Sequence, residues 1–475
     1  MVIRRFMMIG APLMAVALLV AQPAAAQSDA PTQRERELED LVRQLLGRVE
    51  QLEGRIGQLE GTRVQALENS VNQMKEERPP ALDSDEWKQM RKWVTDSNTL
   101  RPYWKGGLRF DSADGRFKLK IGGRIQNDWA YFCEDGDIER AIGDDFDDGT
   151  EFRRARLYVS GSIYDNVDFK AQYDFADGDS DFKDVWMGLK KVPYVGHVRI
   201  GHFKEPFSLE ELTSSKYITF LERSLVNTFA PSRNTGVMIH DTLLEDRMTW
   251  AAGVFRQTDD YGEGVGGRAY NATARITGLP LYADEGERLV HLGFGYSKQN
   301  YEDDEVRFRA RPEAHLAPRL VDTGWIPADH GDLLSAEAAV VWGPLSLQGE
   351  YAHALIDGRS HRFGDPHLWA AAVQASYFLT GEHRPYKKSS GTFGNVKPNE
   401  DFGPDGGRGA WEVAARYSHL NLNDERVRGG RLRDLSLGLN WYLNPNMRMM
   451  WNYVLADPVD DGDVGIFLWR FQLAF

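Results

Sequence analysis

Ile466-Phe467-Leu468-Trp469-Arg470-Phe471-Gln472-Leu473-Ala474-Phe475 ends the chain, and its pattern decides the fold. Phe467, Trp469, Phe471, Leu473 and Phe475 share one parity; Arg470, Gln472 and Ala474 share the other. Side chains of a strand alternate between its two faces. One face here is wholly apolar and mostly aromatic, while the other carries a guanidinium and an amide. A strand standing between lipid and an aqueous lumen has this composition. The preceding segments repeat it. Leu435, Leu437, Leu439, Trp441 and Leu443 alternate with Ser436, Gly438, Asn440 and Tyr442. After the turn Asn444-Pro445-Asn446, the residues Met447, Met449, Trp451, Tyr453 and Leu455 alternate with Arg448 and Asn452.

Read backward in this way, the sequence predicts sixteen strands: 116–132, 151–164, 166–176, 181–192, 196–204, 234–244, 247–257, 269–280, 288–299, 332–343, 344–356, 367–380, 409–422, 429–444, 446–457 and 465–475. Tight turns at Asp165-Asn166, Pro193-Tyr194, Gly343-Pro344 and Asn444-Pro445 alternate with longer acidic or Gly-rich connections. An even strand number with short turns at one end and long loops at the other is the signature of a bacterial outer-membrane barrel. The expected fold is all-β: a 16-stranded antiparallel transmembrane β-barrel with an N-terminal α-helical coiled coil. Sixteen strands leave an aqueous channel. One alternation fails, because 381–408 is long yet falls at the short-turn end. A soluble sandwich would show the same periodicity, but the features at the two ends of the chain argue against it.

Those features begin with a leader. Arg4 and Arg5 precede the apolar run Phe6–Val20, and Ala24-Ala25-Ala26 offers a cleavage site before Gln27, so 1–26 reads as a signal peptide. The run falls short of the ~20 residues of a spanning helix. Mean hydropathy is -0.49, which argues against a helical membrane protein. Cys133 is the single cysteine, so no internal disulfide forms.

Residues 34–78 read as a coiled coil. Leu38, Leu45, Leu52 and Leu59 recur at heptad spacing, with Val42, Val49 and Ile56 between them, a β-branched a and leucine d pattern. Gly47, Gly54, Gly57 and Gly61 each weaken it by roughly 1 kcal/mol against Ala. Its apolar stripe needs a cover: its own barrel, a second copy, or an envelope partner such as peptidoglycan. Pro79-Pro80 ends it; 79–104 reads as linker and 105–475 as the barrel domain.

Alternation also sorts the charges. Lys118, Lys120 and Arg124 face the lumen opposite Phe117, Leu119, Ile121 and Ile125; Arg154 and Arg156 face in, with Arg153 ambiguous; Lys170, Asp168 and Asp174 face in. So do Arg199, Arg275, Arg416, Arg448 and Arg470, with the acids Asp128, Asp184, Glu350 and Glu412. Same-face residues lie about 6.8 Å apart, so such strands could build a basic ladder. The net charge of -14 does not forbid this, because acids concentrate in outer segments such as Asp144-Asp145-Phe146-Asp147-Asp148, and selectivity follows the field at the narrowest point. The connection 205–233 is too long for a hairpin, and its simplest role is to fold inward and narrow the pore.

The runs Val167-Asp-Phe-Lys-Ala-Gln-Tyr-Asp-Phe175, Phe182-Lys-Asp-Val-Trp-Met-Gly-Leu189, Gly201-His-Phe-Lys-Glu-Pro-Phe207, Thr219-Phe-Leu-Glu-Arg-Ser224, Arg233-Asn-Thr-Gly236 and Gly409-Ala-Trp-Glu-Val-Ala-Ala-Arg-Tyr-Ser418 resemble the phosphate-selective porin O and P family over about 105–475. The resemblance implies a homotrimer of sixteen-stranded barrels in the bacterial outer membrane. It places an arginine ladder on Arg124, Arg154 and Arg156, a wall lysine at Lys170, a loop lysine at Lys216 and a balancing acid at Asp184. It also makes 381–408 a periplasmic turn folded into the pore. The long coiled coil, expected in the periplasm, is a departure from the family pattern.

Other signals are discounted. Gly262-Glu-Gly-Val-Gly-Gly267 has phosphate-loop spacing but opens no helix. The acids at 144–148 lack calcium-loop spacing, and His353, His361 and His367 are irregularly placed for a metal. The sequence therefore predicts no enzyme, cofactor, metal or nucleic-acid partner. It predicts passage of phosphate or other small anions; a general, cation or sugar porin and a coiled-coil envelope tether anchored by the barrel are the alternatives.

Overall fold

The computed structural model describes residues 43–45, 47–48, 51, 54–55 and 85, and 99–475 apart from 135–137, 139–145, 266–268, 360–363 and 459–461. The expected leader, most of the coiled coil and most of the linker lie outside the described residues; the positions described from 43 to 55 are helical. The chain divides between Arg91 and Lys92, and the second unit holds the barrel.

Sixteen strands close on themselves: β1 Lys118–Glu134, β2 Gly149–Ile163, β3 Val167–Asp174, β4 Asp181–Val192, β5 Gly196–Lys204, β6 Arg233–Leu243, β7 Met248–Arg256, β8 Tyr270–Ala283, β9 Arg288–Asn300, β10 Ile326–Trp342, β11 Leu345–Gly358, β12 His367–Phe378, β13 Ala410–Asp424, β14 Val427–Asn444, β15 Met447–Pro458 and β16 Val464–Ala474. β16 returns to pair antiparallel with β1, from Ala474 opposite Arg124 to Val464 opposite Glu134. Closure removes both sheet edges. Phe475 and Gly123 exchange backbone hydrogen bonds of 2.8 and 3.1 Å at this seam.

Each expected strand corresponds to an observed one. β10 differs most, starting at Ile326 rather than 332. The expected linker is corrected at its end: Leu100–Trp104 pairs with Leu108–Ser112, which pairs in turn with β1. Five residues interrupted by Pro102 show no sustained alternation, so tertiary pairing rather than local pattern makes this hairpin.

The two-residue period holds across the wall. Leu435, Leu437, Tyr453, Leu455, Phe467 and Leu473 are exposed on the outside, while Arg416, Arg448 and Arg470 are buried inside. β2 carries one bulge. Pairing passes from Gln126–Arg154 to Asn127–Phe152, leaving Arg153 as the extra residue. A bulge lets neighbouring side chains share a face. Phe152 is exposed outside, and Arg153 and Arg154 both reach Glu222 within the barrel, which resolves the ambiguity at Arg153.

The expectation of a polar lumen is corrected on one side. Toward the long-loop end, inward residues of β10–β16 include Leu333, Ile356, Leu368, Leu420, Leu432, Val454 and Ile466. They form a core with Phe207, Leu221, Leu225, Val226 and Phe229 of the 205–232 connection and Phe308, Ala314 and Ala317 of the 301–325 connection. The Phe229 and Phe308 rings stand 5.2 Å apart. Burying each such large side chain yields about 1.5–3 kcal/mol. Two inward connections thus fill that side of the barrel, and the open cavities described below lie along β1–β8.

Candidate functional site

Two short helices shape the 205–232 connection. Ser208 caps Leu209–Leu212, its Oγ accepting from the Glu211 N–H at 3.0 Å. This satisfies one of the free amides at a helix start. At the other end Arg223 donates to the carbonyls of Glu210, Glu211 and Thr213 at 2.9–3.1 Å. Glu205 anchors the root, accepting from Asn234 at 2.7 Å and from Thr273. The middle of the segment is held by the wall. Arg448 donates to the Ile218 carbonyl (2.9 Å), Asn440 to Thr219 (2.8 Å), Arg470 to Leu221 (2.6 Å) and Arg416 to Glu222 (3.0 Å).

These contacts change the reading of the inward arginines. Arg416 also meets Glu313 at 2.5 Å and Glu210 at 3.2 Å, and Arg470 meets Asp128 at 2.6 Å and Glu222 at 2.8 Å. Arg275 pairs with Glu337 at 2.5 Å and donates to the Gly391 carbonyl at 2.9 Å, fixing the 381–408 turn inside the barrel. Arg199 lies over the Trp186 ring, 4.2 Å from its centroid. All face inward as expected, but Arg275, Arg416, Arg448 and Arg470 clamp inward segments. Periodicity gives the face of a residue and says nothing of its partner.

The six residues singled out from the sequence lie on the other side of the lumen. Arg124 and Arg156 are cross-strand neighbours, as are Gln126 and Arg154. Arg154 donates to Gln126 at 3.0 Å and lies 3.6 Å from Glu222; Arg156 pairs with Asp174 at 2.6 Å. Lys170 meets Asp184 at 2.5 Å, and Arg233 meets the same carboxylate at 2.8 Å. Arg124 donates to Ser215 Oγ at 2.6 Å, beside Lys216.

Lys170 and Lys216 meet around a tyrosine that sequence reasoning did not single out. The ammonium groups of Lys120, Lys170 and Lys216 lie 5.5, 5.5 and 6.0 Å from the Tyr158 ring centroid. Lys216 and Lys387 lie 5.2 and 4.8 Å from the Tyr217 ring. Each ring face attracts cations and helps hold them together. Gly122, opposite Tyr158 on β1, makes room for it: a Cβ there would sit 2.5 Å from the phenol oxygen. Among the described residues, no carboxylate forms an ion pair with Lys120, Arg124, Lys216 or Lys387. Burial, then the nearby Arg124, Lys120, Lys387 and Lys170, hold the Lys216 ammonium down to about 7.

A cavity of about 750 Å³ is lined by these four cations, Tyr158 and Tyr217, with Asp111 and Asp168 also on its wall. A second, of about 500 Å³, is lined by Asp184, Arg199, His240 and Arg275. Lys170, Trp186, Ser214 and Lys387 border both. Lys387 comes from the turn whose length broke the strand alternation; that anomaly, and the resemblance that folds the turn into the pore, pointed to the segment but not to the residue.

A closed sixteen-stranded barrel with an apolar outer belt and a polar cavity bounded by inward connections is an outer-membrane porin. The sequence profile described as phosphate-selective porin O and P matches residues 119–475, and the chain belongs to that family. It is 27% identical to Porin O of Pseudomonas aeruginosa over 428 residues, covering 80% of this chain and 94% of that one. It is 29% identical to an uncharacterised protein of Caulobacter vibrioides over 381 residues, 76% of this chain and 73% of that one. Its structure is similar to the outer membrane channel DcaP of Acinetobacter baumannii, with a TM-score of 0.48 at 12% identity, over 77% of this chain and 99% of that one.

Proposed function

We propose that this porin passes phosphate or a related oxyanion through a narrow point lined by Lys120, Arg124, Lys170, Lys216 and Lys387. One observation carries the reading: four of these cations have no ion-pair partner among the described residues, whereas the surrounding Arg154, Arg156 and Arg233 each face a carboxylate. Unpaired charge sets the local field, and a confined, partly dry site screens it less than bulk water. An oxyanion sheds some hydration water there and gains charge-assisted hydrogen bonds, about twice as strong as neutral ones. Passage needs several moderate contacts rather than one tight site. Asp184, shared between Lys170 and Arg233, lowers the net charge of the approach and eases exit. The experiment is a reversal-potential measurement in planar bilayers under a potassium chloride gradient, with phosphate added to block chloride current. A reversal potential favouring potassium would refute it.

Lys387 supplies a second test. Replacing it with Ala should weaken phosphate block by roughly fivefold, since one charge in a wet site is worth on the order of 1 kcal/mol. The 381–408 turn should keep its place, because Arg275 rather than Lys387 holds it. Unchanged block would remove the turn from the pathway.

The reading carries a homotrimer, removal of residues 1–26 and a periplasmic coiled coil at 34–78. Pro79-Pro80 and a polar linker separate that coil from the barrel. Deleting 34–78 should leave single-channel conductance within about a tenth of the parent's, as expected where few contacts cross a linker. Loss of the channel from a folded barrel would contradict this separation.

A further inference from the structure

The outside of the barrel is not uniform at its long-loop end. Across the register, Arg433 lies between His419 and Asp457, and one row nearer the loops His353 lies opposite Trp369. Arg431 stands in that same row, across Asn421 from Trp369. The row beneath is apolar, with Val373, Tyr417, Leu435 and Leu455. The Trp369 and His419 rings are 4.8 Å apart, and Arg433 lies 3.7 Å from Asp457 with two-fifths of its side chain exposed. His353 Nε2 and His419 Nε2 are buried and without a hydrogen-bond partner among the described residues.

We propose that this patch binds the phosphorylated sugar headgroup of an outer-leaflet glycolipid. The long loops of such barrels face the outside, so the patch stands at the upper edge of the apolar belt, at headgroup level. Only lipid or another barrel reaches a side chain there. Guanidinium groups match phosphate oxygens in a planar, two-pronged way that a lysine cannot. Arg431 and Arg433 take the phosphate. Trp369, packed between the Tyr351 and His419 rings, forms with them an aromatic floor beside the two guanidinium groups, against which the sugar rests. The acyl chains run down over Leu435 and Leu455. This site is on the outer wall, remote in the register from the lumen cavity, and its ligand does not pass through the pore.

The test is native mass spectrometry of the full chain in neutral detergent, with a diphosphorylated glucosamine-disaccharide lipid as probe. The parent should hold this lipid, and the R431E/R433E double variant should bind at least about tenfold more weakly with conductance unchanged. The dephosphorylated lipid should bind worse than the parent lipid, and free inorganic phosphate at equal concentration should not displace it. Asp457→Asn removes the acid that competes for Arg433 and should tighten binding at least twofold; this variant decides the matter if the double reversal does not fold. Equal binding by parent and variants, or displacement by free phosphate, would overturn the proposal. A change in subunit number in place of lost lipid would overturn it too, in favour of a contact between copies.

Discussion

Replacing Lys216 with Glu should weaken phosphate block of chloride current by at least about tenfold and move the reversal potential toward cations. The magnitude follows from Coulomb's law. A unit charge about 4 Å from an anion contributes between ~1 kcal/mol in bulk water and ~4 kcal/mol at a partly buried site, and ~1.4 kcal/mol is tenfold. Reversal removes one attraction and adds one repulsion. Lys216 shares Tyr158 with Lys120 and Lys170 and shares Tyr217 with Lys387, so a carboxylate there would also pair with these neighbours and withdraw them from the anion. Lys216→Gln should show about half the change on a logarithmic scale. Arg433→Gln, on the outer wall, should show none.

The same lysine gives selectivity a pH dependence. An ammonium held at about 7 is charged below that pH and neutral above it. Anion preference, read from chloride reversal potentials so that phosphate's own titration does not intrude, should therefore fall as pH rises from about 6 to about 8. Lys216→Gln should flatten that profile. A K216E channel that conducts and discriminates like the parent would end the phosphate reading and bring forward a general porin or a tether.

Each strand was legible because lipid on one side and water on the other impose a strict two-residue period. Leu435 to Leu443 and Phe467 to Phe475 carry that pattern without interruption. The bulge at Arg153 was not legible, since an inserted residue looks like a fault in the alternation rather than a device that turns two arginines inward. Of the site, the faces of Arg124, Arg154, Arg156 and Lys170 followed from parity. The place of Lys216 came only from resemblance. Tyr158 and Tyr217 carried no local signal, because their role lies in which ammonium groups surround them, and those come from two strands and two inward connections. The apolar interior of β10–β16 was hidden for a related reason: a strand apolar on both faces reads the same whether its inner face meets water or an inserted loop.

That inserted core leads to the largest expected loss of stability. Arg416 is almost wholly buried between Glu313 of the 301–325 connection and Glu210 of the 205–232 connection, and it also holds the Glu222 carbonyl. It is the one guanidinium among the described residues that pairs with carboxylates of both connections. Arg416→Met keeps the volume but leaves Glu313 and Glu210 in a low-dielectric interior without their counter-charge. Breaking a buried pair from one side costs about 3–5 kcal/mol. The barrel wall itself should survive, since its ladders do not depend on this residue; the loss should fall on the connections. The expected result is a lower thermal midpoint in detergent, with a single-channel current that is larger and noisier as the two segments leave the wall. Glu313→Gln in the Arg416→Met background should recover part of the stability, because it removes one uncompensated charge while keeping an amide for Ser418 and Ser436, whose hydroxyls now donate to Glu313 at 2.5 Å. A single Arg416→Met variant as stable and as quiet as the parent would mean that the apolar contacts around Phe229 and Phe308 hold the connections without it.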